Sequence, residues 1–341
     1  MNIKNSVLLT RTDRLGDVLM TLPSVIYLRE NLPEIPLEFL CRDEYAPVVG
    51  PLLNSVGVVT TARSSFVISK RYRAVLFFFY EKHLSSLVWK TGIPIRAGIF
   101  SKPSSFMFLN SGLRQRRSKA EKNEAEYNLD LAEAFLKAVE QKPRRSQATP
   151  IELPRSPENL RRVEELLARL DVDPDRGFIV IHPGMGGSAL NASAAQYREI
   201  IEQIKSRTAY EILLSVGPGR MDVEMSEAIK NVKKIEAVPL EVLMEVFRLS
   251  KGVVAPSTGP LHLAHLVGAP TFGIYPPVKS HRPLRWQPWG GAGSRRVLSP
   301  SIPCPGRKDC IGDSCRYYYC MDGVPWAESA ADWAADVGAN R

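Results

Sequence analysis

The sequence predicts an α/β protein built as two doubly wound halves, each a parallel sheet wrapped by helices. Three observations predict it. Apolar runs of strand length alternate with helix-length stretches from Ser6 to Pro277. The 341-residue length suits two domains of ordinary size. A polar, basic, proline-bearing segment, Gln141–Ser156, interrupts the alternation near its middle and reads as a linker. The expected division is therefore residues 1–150, residues 151–325, and a helical tail over 326–341 that packs back on the first domain.

In the first half, Ser6–Thr10 reads as a buried strand with Val-Leu-Leu at its centre, followed by a loop over Arg11–Gly16. Asp17 then caps a helical region in which Pro23 kinks or starts the main helix toward Leu32. Further strands are expected at Leu37–Cys41, Val58–Thr60, Ala74–Phe79 and Pro94–Ile99, with helices between them. Phe100–Lys122 breaks the pattern: Lys102, Arg114, Arg116, Arg117, Lys119 and Lys122 lie among Ser, Phe and Met with no clear period. It reads either as a solvated loop or as a lid or docking arm for an anionic acceptor. A helix over Ala125–Val139 closes the half.

The second half opens with a helix over Glu158–Leu170 and a strand over Gly177–His182. That strand runs into Pro183-Gly184-Met185-Gly186-Gly187-Ser188. Helix Ala194–Lys205, strand Glu211–Val216, the turn Gly217-Pro218-Gly219, helix Asp222–Ile229, a short strand near Ile235 and helix Leu240–Leu249 follow. Val253 and Val254 then form a strand before Ser257 and Thr258, which can cap a helix containing Pro260 in its first turn. Gly268 is placed to end that helix and Pro270 to stop it.

Composition excludes several classes. The chain is 44% hydrophobic and 24% charged, the balance of a globular protein, and no apolar run approaches the ~20 residues that span a bilayer. Arg11, Asp13 and Arg14 come too early for a signal-peptide core, so the expected location is the cytoplasm. The net charge of +9 is uneven: residues 1–150 hold 22 Lys and Arg against 14 Asp and Glu, and the remainder holds 23 against 22. A basic surface thus belongs to the first half, suited to an anionic substrate or membrane surface. No nucleic-acid motif accompanies it, and nucleic acid is not expected as a partner.

Two kinds of turn could carry chemistry. Arg11–Asp17 places a carboxylate after a strand, at the sheet edge where open α/β sheets bind ligands. Asp17 there is either an N-cap or a general base for an incoming hydroxyl. His182–Ser188 and Ser257–His262 aim backbone N–H groups, and in the second case a helix N-terminus, at a site suited to phosphate. Neither matches a P-loop or a GxGxxG fingerprint. His262 reads as a capping residue or as a charge-assisted donor to a phosphate. His83, His265 and His281 have no companions at ligand spacing, so no catalytic metal is expected. Cys304, Cys310, Cys315 and Cys320 crowd together, with reduced thiols, a structural metal site and disulfides all open.

Three stretches in order, RLGDVLMTLP, HPGMGGSALN and STGPLHLAHLVGAPTFGIY, resemble the bacterial heptosyltransferase-like glycosyltransferases of family 9. The resemblance covers nearly the whole chain. It implies a GT-B fold, two Rossmann-like domains with a cleft between them. It also implies metal-independent, inverting transfer from a nucleotide-activated sugar, ADP-heptose in the best-known members, with no cofactor. The implied acceptor is an anionic, membrane-held lipopolysaccharide core, which adds a peripheral site on the cytoplasmic surface of the inner membrane. The family's catalytic aspartate falls on Asp17, and its diphosphate-binding residues on Thr258, Gly259 and His262, joined by Gly186, Gly187, Ser188 and Ser257. Asp222 is assigned to the donor ribose, and Arg11, Asp13, Arg14, Arg114, Arg116 and Arg117 to the acceptor. Two departures stand out: Leu190 occupies the place of a phosphate-binding lysine, and Ser257 that of a frequent aspartate. They motivate one rival, a nucleotide-sugar or glycan-binding protein without turnover; a nucleotide-sugar epimerase is the other.

Overall fold

The computed structural model describes residues 6–53, 56–61, 72–142, 155–187, 189–290 and 293–339. The first unit contains β1 (Ser6–Thr10), α1 (Leu15–Leu19), α2 (Leu22–Asn31), β2 (Leu37–Cys41), α3 (Ala46–Leu52) and β3 (Gly57–Thr60). It continues with β4 (Tyr72–Phe77), α4 (Lys82–Lys90), β5 (Ile95–Ile99), α5 (Pro103–Phe108), β6 (Ser111–Leu113) and α6 (Glu124–Ala138). All its strands are parallel, in the order β3-β2-β1-β4-β5-β6. Every residue of β1 is buried, as a central strand with helices on both faces demands. Chain direction across the sheet reverses between β1 and β4, so the loops leaving these two strands flank the crevice where such sheets bind ligands.

The second unit contains α7 (Pro157–Arg169), β7 (Phe178–Ile181), α8 (Ala194–Arg207), β8 (Glu211–Ser215), α9 (Arg220–Ala228), β9 (Lys233–Ile235) and α10 (Leu240–Leu249). It ends with β10 (Gly252–Pro256), α11 (Gly259–Leu266), β11 (Thr271–Ile274), α12 (Pro283–Trp286), β12 (Arg295–Leu298) and α13 (Trp326–Ala339). Its parallel order, β12-β11-β10-β7-β8-β9, repeats that of the first sheet, with the reversal between β7 and β10. Both sheets therefore have the dinucleotide-fold strand order, in agreement with the predicted two Rossmann-like domains.

Several expectations need correction. Phe100–Lys122 is not one irregular arm: α5 and β6 lie inside it, and β6 pairs in parallel with β5. Only three residues long and half-buried, β6 offers too little apolar periodicity to be read as a strand. The edge strand β12, Arg-Arg-Val-Leu, escaped notice for the same reason. Asp17 is not the N-cap; α1 starts at Leu15, Arg14 occupies the cap, and Asp17 sits within the first turn.

The helical tail packs within the second unit. Trp326, Ala330, Trp333 and Ala334 of α13 are buried with Ile200, Ile201 and Ile204 of α8 and with Phe272 of β11, all in the second unit. A Cβ on Gly252 would lie 2.6 Å from the Trp333 ring, so β10 admits that indole only because residue 252 is glycine. Ser118–Asn123 also groups with the second unit rather than the first. The expected junction near residue 150 lies outside the described residues.

Candidate functional site

In the first unit the chain leaves β1 at Thr10 and turns at once into α1, which brings Arg11 and Asp17 together. Arg11 is buried, and its guanidinium donates to Asp17 at 2.5 Å, to Asp13 at 2.7 Å and to the Phe78 carbonyl beyond β4 at 3.2 Å. Glu124, at the start of α6, stands 3.7 Å away and also pairs with Arg117. Asn128 accepts from Arg11 and Arg117, and donates to the Met20 carbonyl and the Thr21 hydroxyl. Two guanidinium groups thus share three carboxylates in a largely dry place.

Burial dominates the protonation of the site, and the charges around it adjust the result. Burial pushes the Asp17 carboxyl up to about 6, Asp13 and Glu124 push in the same direction, and Arg11 pulls it back only in part. Burial alone would lower the Arg11 pKa, but the three carboxylates hold its charge and leave it raised. Asp17 still keeps 19% of its side chain open. It is a carboxylate fixed from behind by a charged fork, open at the front, and poised near neutrality.

The expected acceptor residues divide into two groups. Arg11 and Arg117 face inward into the ion network. Arg14, Arg114 and Arg116 are exposed, with Arg114 lying over the Phe106 ring. Asp13 and Arg14, with Arg42, Phe79 and Glu81, border an open groove of about 530 Å³ at the carboxyl end of the sheet. Thr12 is fixed between them, its hydroxyl donating to Glu81 and its carbonyl accepting from Arg42.

In the second unit the equivalent places are furnished by backbone. After β7, Gly186 and Gly187 adopt φ of 53° and 68°, a left-handed conformation that side chains resist. Asp222 accepts from the Gly186 N–H at 3.1 Å. A Cβ on Gly184 would lie 2.6 Å from its carboxylate, and one on Gly217 2.5 Å. The Asp222 side chain is wedged between the turns at Gly184 and Gly217 and holds the loop after β7. His182, in the same loop, is paired to Ser215 at 2.9 Å and pushed down to about 4 by burial, so it is neutral. Ser188 lies outside the described residues.

After β10, Thr258 is the N-cap of α11 by backbone, but its hydroxyl turns back to the Pro256 carbonyl at 3.2 Å. No side chain caps the helix, and the N–H groups of Gly259 and Leu261 have no intrahelical acceptor by position. His262 is buried with Nδ1 unpartnered among the described residues, and burial and His265 push it down to about 3. Its imidazole is neutral. Ser257 hydrogen-bonds Tyr275, whose hydroxyl donates to the Trp286 carbonyl at 2.8 Å. Leu190 packs on the apolar core. Glu124, Asn128 and Tyr275 were not predicted, and only their distant partners give them meaning.

Comparison with known proteins adds the following. The family model described as glycosyltransferase family 9 (heptosyltransferase) matches residues 70–304. A Haemophilus influenzae protein provisionally named a glycosyltransferase is 28% identical over 317 residues, covering 83% of this chain and 85% of its own. The fold matches E. coli ADP-heptose LPS heptosyltransferase II with a TM-score of 0.72 at 15% identity, over 97% of this chain and 98% of that one. It matches E. coli heptosyltransferase WaaC, solved with ADP, with a TM-score of 0.63 at 18% identity, over 97% and 99%.

Proposed function

We propose a function from one premise: this chain belongs to glycosyltransferase family 9 and is a glycosyltransferase. The reaction is inverting transfer of a heptose-like sugar from a nucleoside-diphosphate donor to a lipopolysaccharide core or related anionic cell-surface glycan. ADP-heptose is the donor to try first, since structures of the same fold are named for it. Work on the cytoplasmic face of the inner membrane fits the basic excess of residues 1–150. Among the described residues no helix is long and apolar enough to cross a membrane.

Asp17 takes the proton of the acceptor hydroxyl as its oxygen attacks the anomeric carbon. The bond from that carbon to the diphosphate breaks on the opposite face, and the electron pair leaves with the phosphate. The observation that supports this assignment best is the Asp17 carboxylate itself, held by Arg11 at 2.5 Å and raised to about 6. A base tuned this close to neutral pH is ionised in the cell yet accepts a proton readily. Arg11 acts through Asp17 as a positioning residue. Arg14 and Arg42 at the open groove, with exposed Arg114 and Arg116, suit a phosphorylated acceptor.

The leaving diphosphate is stabilised by the uncapped start of α11, the left-handed glycines Gly186 and Gly187, and neutral His262. With leucine at 190, no lysine assists at that position, and backbone N–H groups carry more of the charge. This departure also supports the rival reading, a donor-binding protein without turnover. One experiment separates the two: ADP-heptose and a truncated lipopolysaccharide core are incubated with wild type and Asp17→Asn, with ADP affinity measured in parallel. Transfer is expected to fall by about 10²–10⁴ in the variant with ADP affinity nearly unchanged. Undiminished transfer by Asp17→Asn overturns the base assignment. ADP binding by wild type without transfer to any core acceptor favours the rival.

A further inference from the structure

Between β12 and α13 the chain runs through residues 299–325 with only a 3₁₀ turn, Gly312–Ser314, as regular structure. A loop of this length in a compact domain normally has something of its own to hold it. Apolar burial does not supply it: from Ser301 to Cys320, Gly306 alone is buried. What the segment does contain is four of the protein's five cysteines, all free of disulfides.

Cys304, Cys310, Cys315 and Cys320 border one cavity of about 190 Å³. Leu190, Pro277, Val278, Ile302 and Met321 form much of its remaining wall, so the thiols face an apolar chamber. The turns around the sulfurs share a form. The Gly312 N–H donates to Cys310 Sγ at 3.4 Å, and the Tyr317 N–H donates to Cys315 Sγ at 3.4 Å, each from two residues downstream. Gly306, two residues after Cys304, repeats the approach, since a Cβ there would lie 3.4 Å from Cys304 Sγ and 2.6 Å from the Asp309 carbonyl.

We propose that these four cysteines form a tetrathiolate site for a soft divalent cation of the zinc class. Backbone N–H groups aimed at sulfur are the hydrogen bonds that metal-bound cysteine sulfurs accept. A disulfide would leave those donors facing sulfur without charge. Four thiolates and no histidine select zinc or iron(II) over hard cations. Among the described residues no three His, Cys, Asp or Glu side chains already converge at bonding separation, so the thiols border the chamber and the cation draws them in. Tetrahedral bonds of about 2.3 Å put the sulfurs roughly 3.8 Å apart. The turns that carry them bury almost nothing that resists the movement.

The site would staple a coreless loop to the α13 packing. Gln196 of α8 donates to the Met321 carbonyl at 3.0 Å, and the Trp326 indole N–H donates to the same oxygen at 2.8 Å, immediately after Cys320. Metal binding then contributes to folding of the second unit, as it does in small domains without a core. This inference does not depend on the donor or acceptor proposed above.

The test uses the full chain, freed of metal under reducing conditions and titrated with cobalt(II), then with zinc(II) as competitor. The expected result is saturation at one cobalt per chain, with sulfur-to-cobalt charge-transfer bands and tetrahedral ligand-field bands that zinc abolishes. Cys310→Ser and Cys315→Ser should lose affinity by tenfold or more, while Cys41→Ser, whose thiol lies buried on β2, retains it. Zinc should also raise the melting temperature of wild type but not of Cys310→Ser, with circular dichroism confirming that the variant is folded. Three results overturn the site: no tetrahedral bands, bands unchanged in both loop variants, or two disulfides found by mass spectrometry in protein purified without reductant.

Discussion

The loops after β1 in the first unit and after β7 and β10 in the second leave central strands of two sheets with the same order, yet they are furnished in opposite ways. The first is filled with charged side chains: Arg11, Asp13, Asp17 and Glu124 saturate one another. The other two present glycines, an uncapped helix start and a histidine that burial keeps neutral. The contrast teaches how one topology can present either titratable side chains or backbone donors at the same sheet edge. Moving a proton needs a titratable group whose pKa is set by its neighbours. A polyanion can also be held by backbone N–H groups, which act without side-chain entropy.

The comparison can be broken most severely at Arg11. Arg11→Met leaves three carboxylates around an apolar side chain and is expected to destabilise the first unit by about 3–5 kcal/mol, measured by urea unfolding. Transfer should be lost with it. Next comes Asp222→Ala, which removes the acceptor of the Gly186 N–H and opens a void between two glycine turns. A cost of about 1–3 kcal/mol is expected, together with a raised KM for donor and an unchanged pH profile. Gly187→Ala should cost about 1–2 kcal/mol, because alanine resists the left-handed region that residue 187 occupies. A crystal structure or donor titration with wild-type affinity would show that the loop tolerates it.

The smallest effect sharpens the contrast through pH. Transfer should fall as pH drops below about 6, where Asp17 takes up a proton. For stability the two units carry opposite signs. Asp17 is raised in the folded state, so its share of stability is greatest below the ordinary carboxylate range and diminishes as pH rises to about 6. His182, His262 and His265 are lowered to about 4, 3 and 4, so their share is full above the ordinary imidazole value near 6.5 and is lost as pH falls toward those values. Hydrogen exchange between pH 4 and 6.5 should therefore show the second unit losing protection first on acidification. Equal loss in both units would remove the electrostatic distinction.

Much of this was legible from residue order alone. Leu240–Leu249 was predicted to the residue, because ten residues with a strong apolar face admit one periodicity. β1 and β2 were equally plain, being short apolar runs between turn residues. Edge strands β6 and β12 were not, since an edge buries too little to need an apolar signature. Asp17 was found by its place after a strand, but nothing near it foretold Glu124 or Asn128, more than a hundred residues away. The contact of Asp222 with the turns at Gly184 and Gly217 was not legible, because it depends on how two loops stack.

The sequence by itself determined the two parallel sheets, the strand-to-helix turns that could bind an anion, and the position of an aspartate in the turn after the first strand. These are local matters: hydrophobic period, glycine at positive φ, and proline in the first helical turn all act within a few residues. The tertiary structure alone decided which arginines face inward, that His262 is neutral, that α13 belongs to the second unit's core, and that four cysteines border one cavity. Each of those depends on burial and on partners distant in the chain. Desolvation and Coulomb interaction act through space, and no spacing along the chain encodes them.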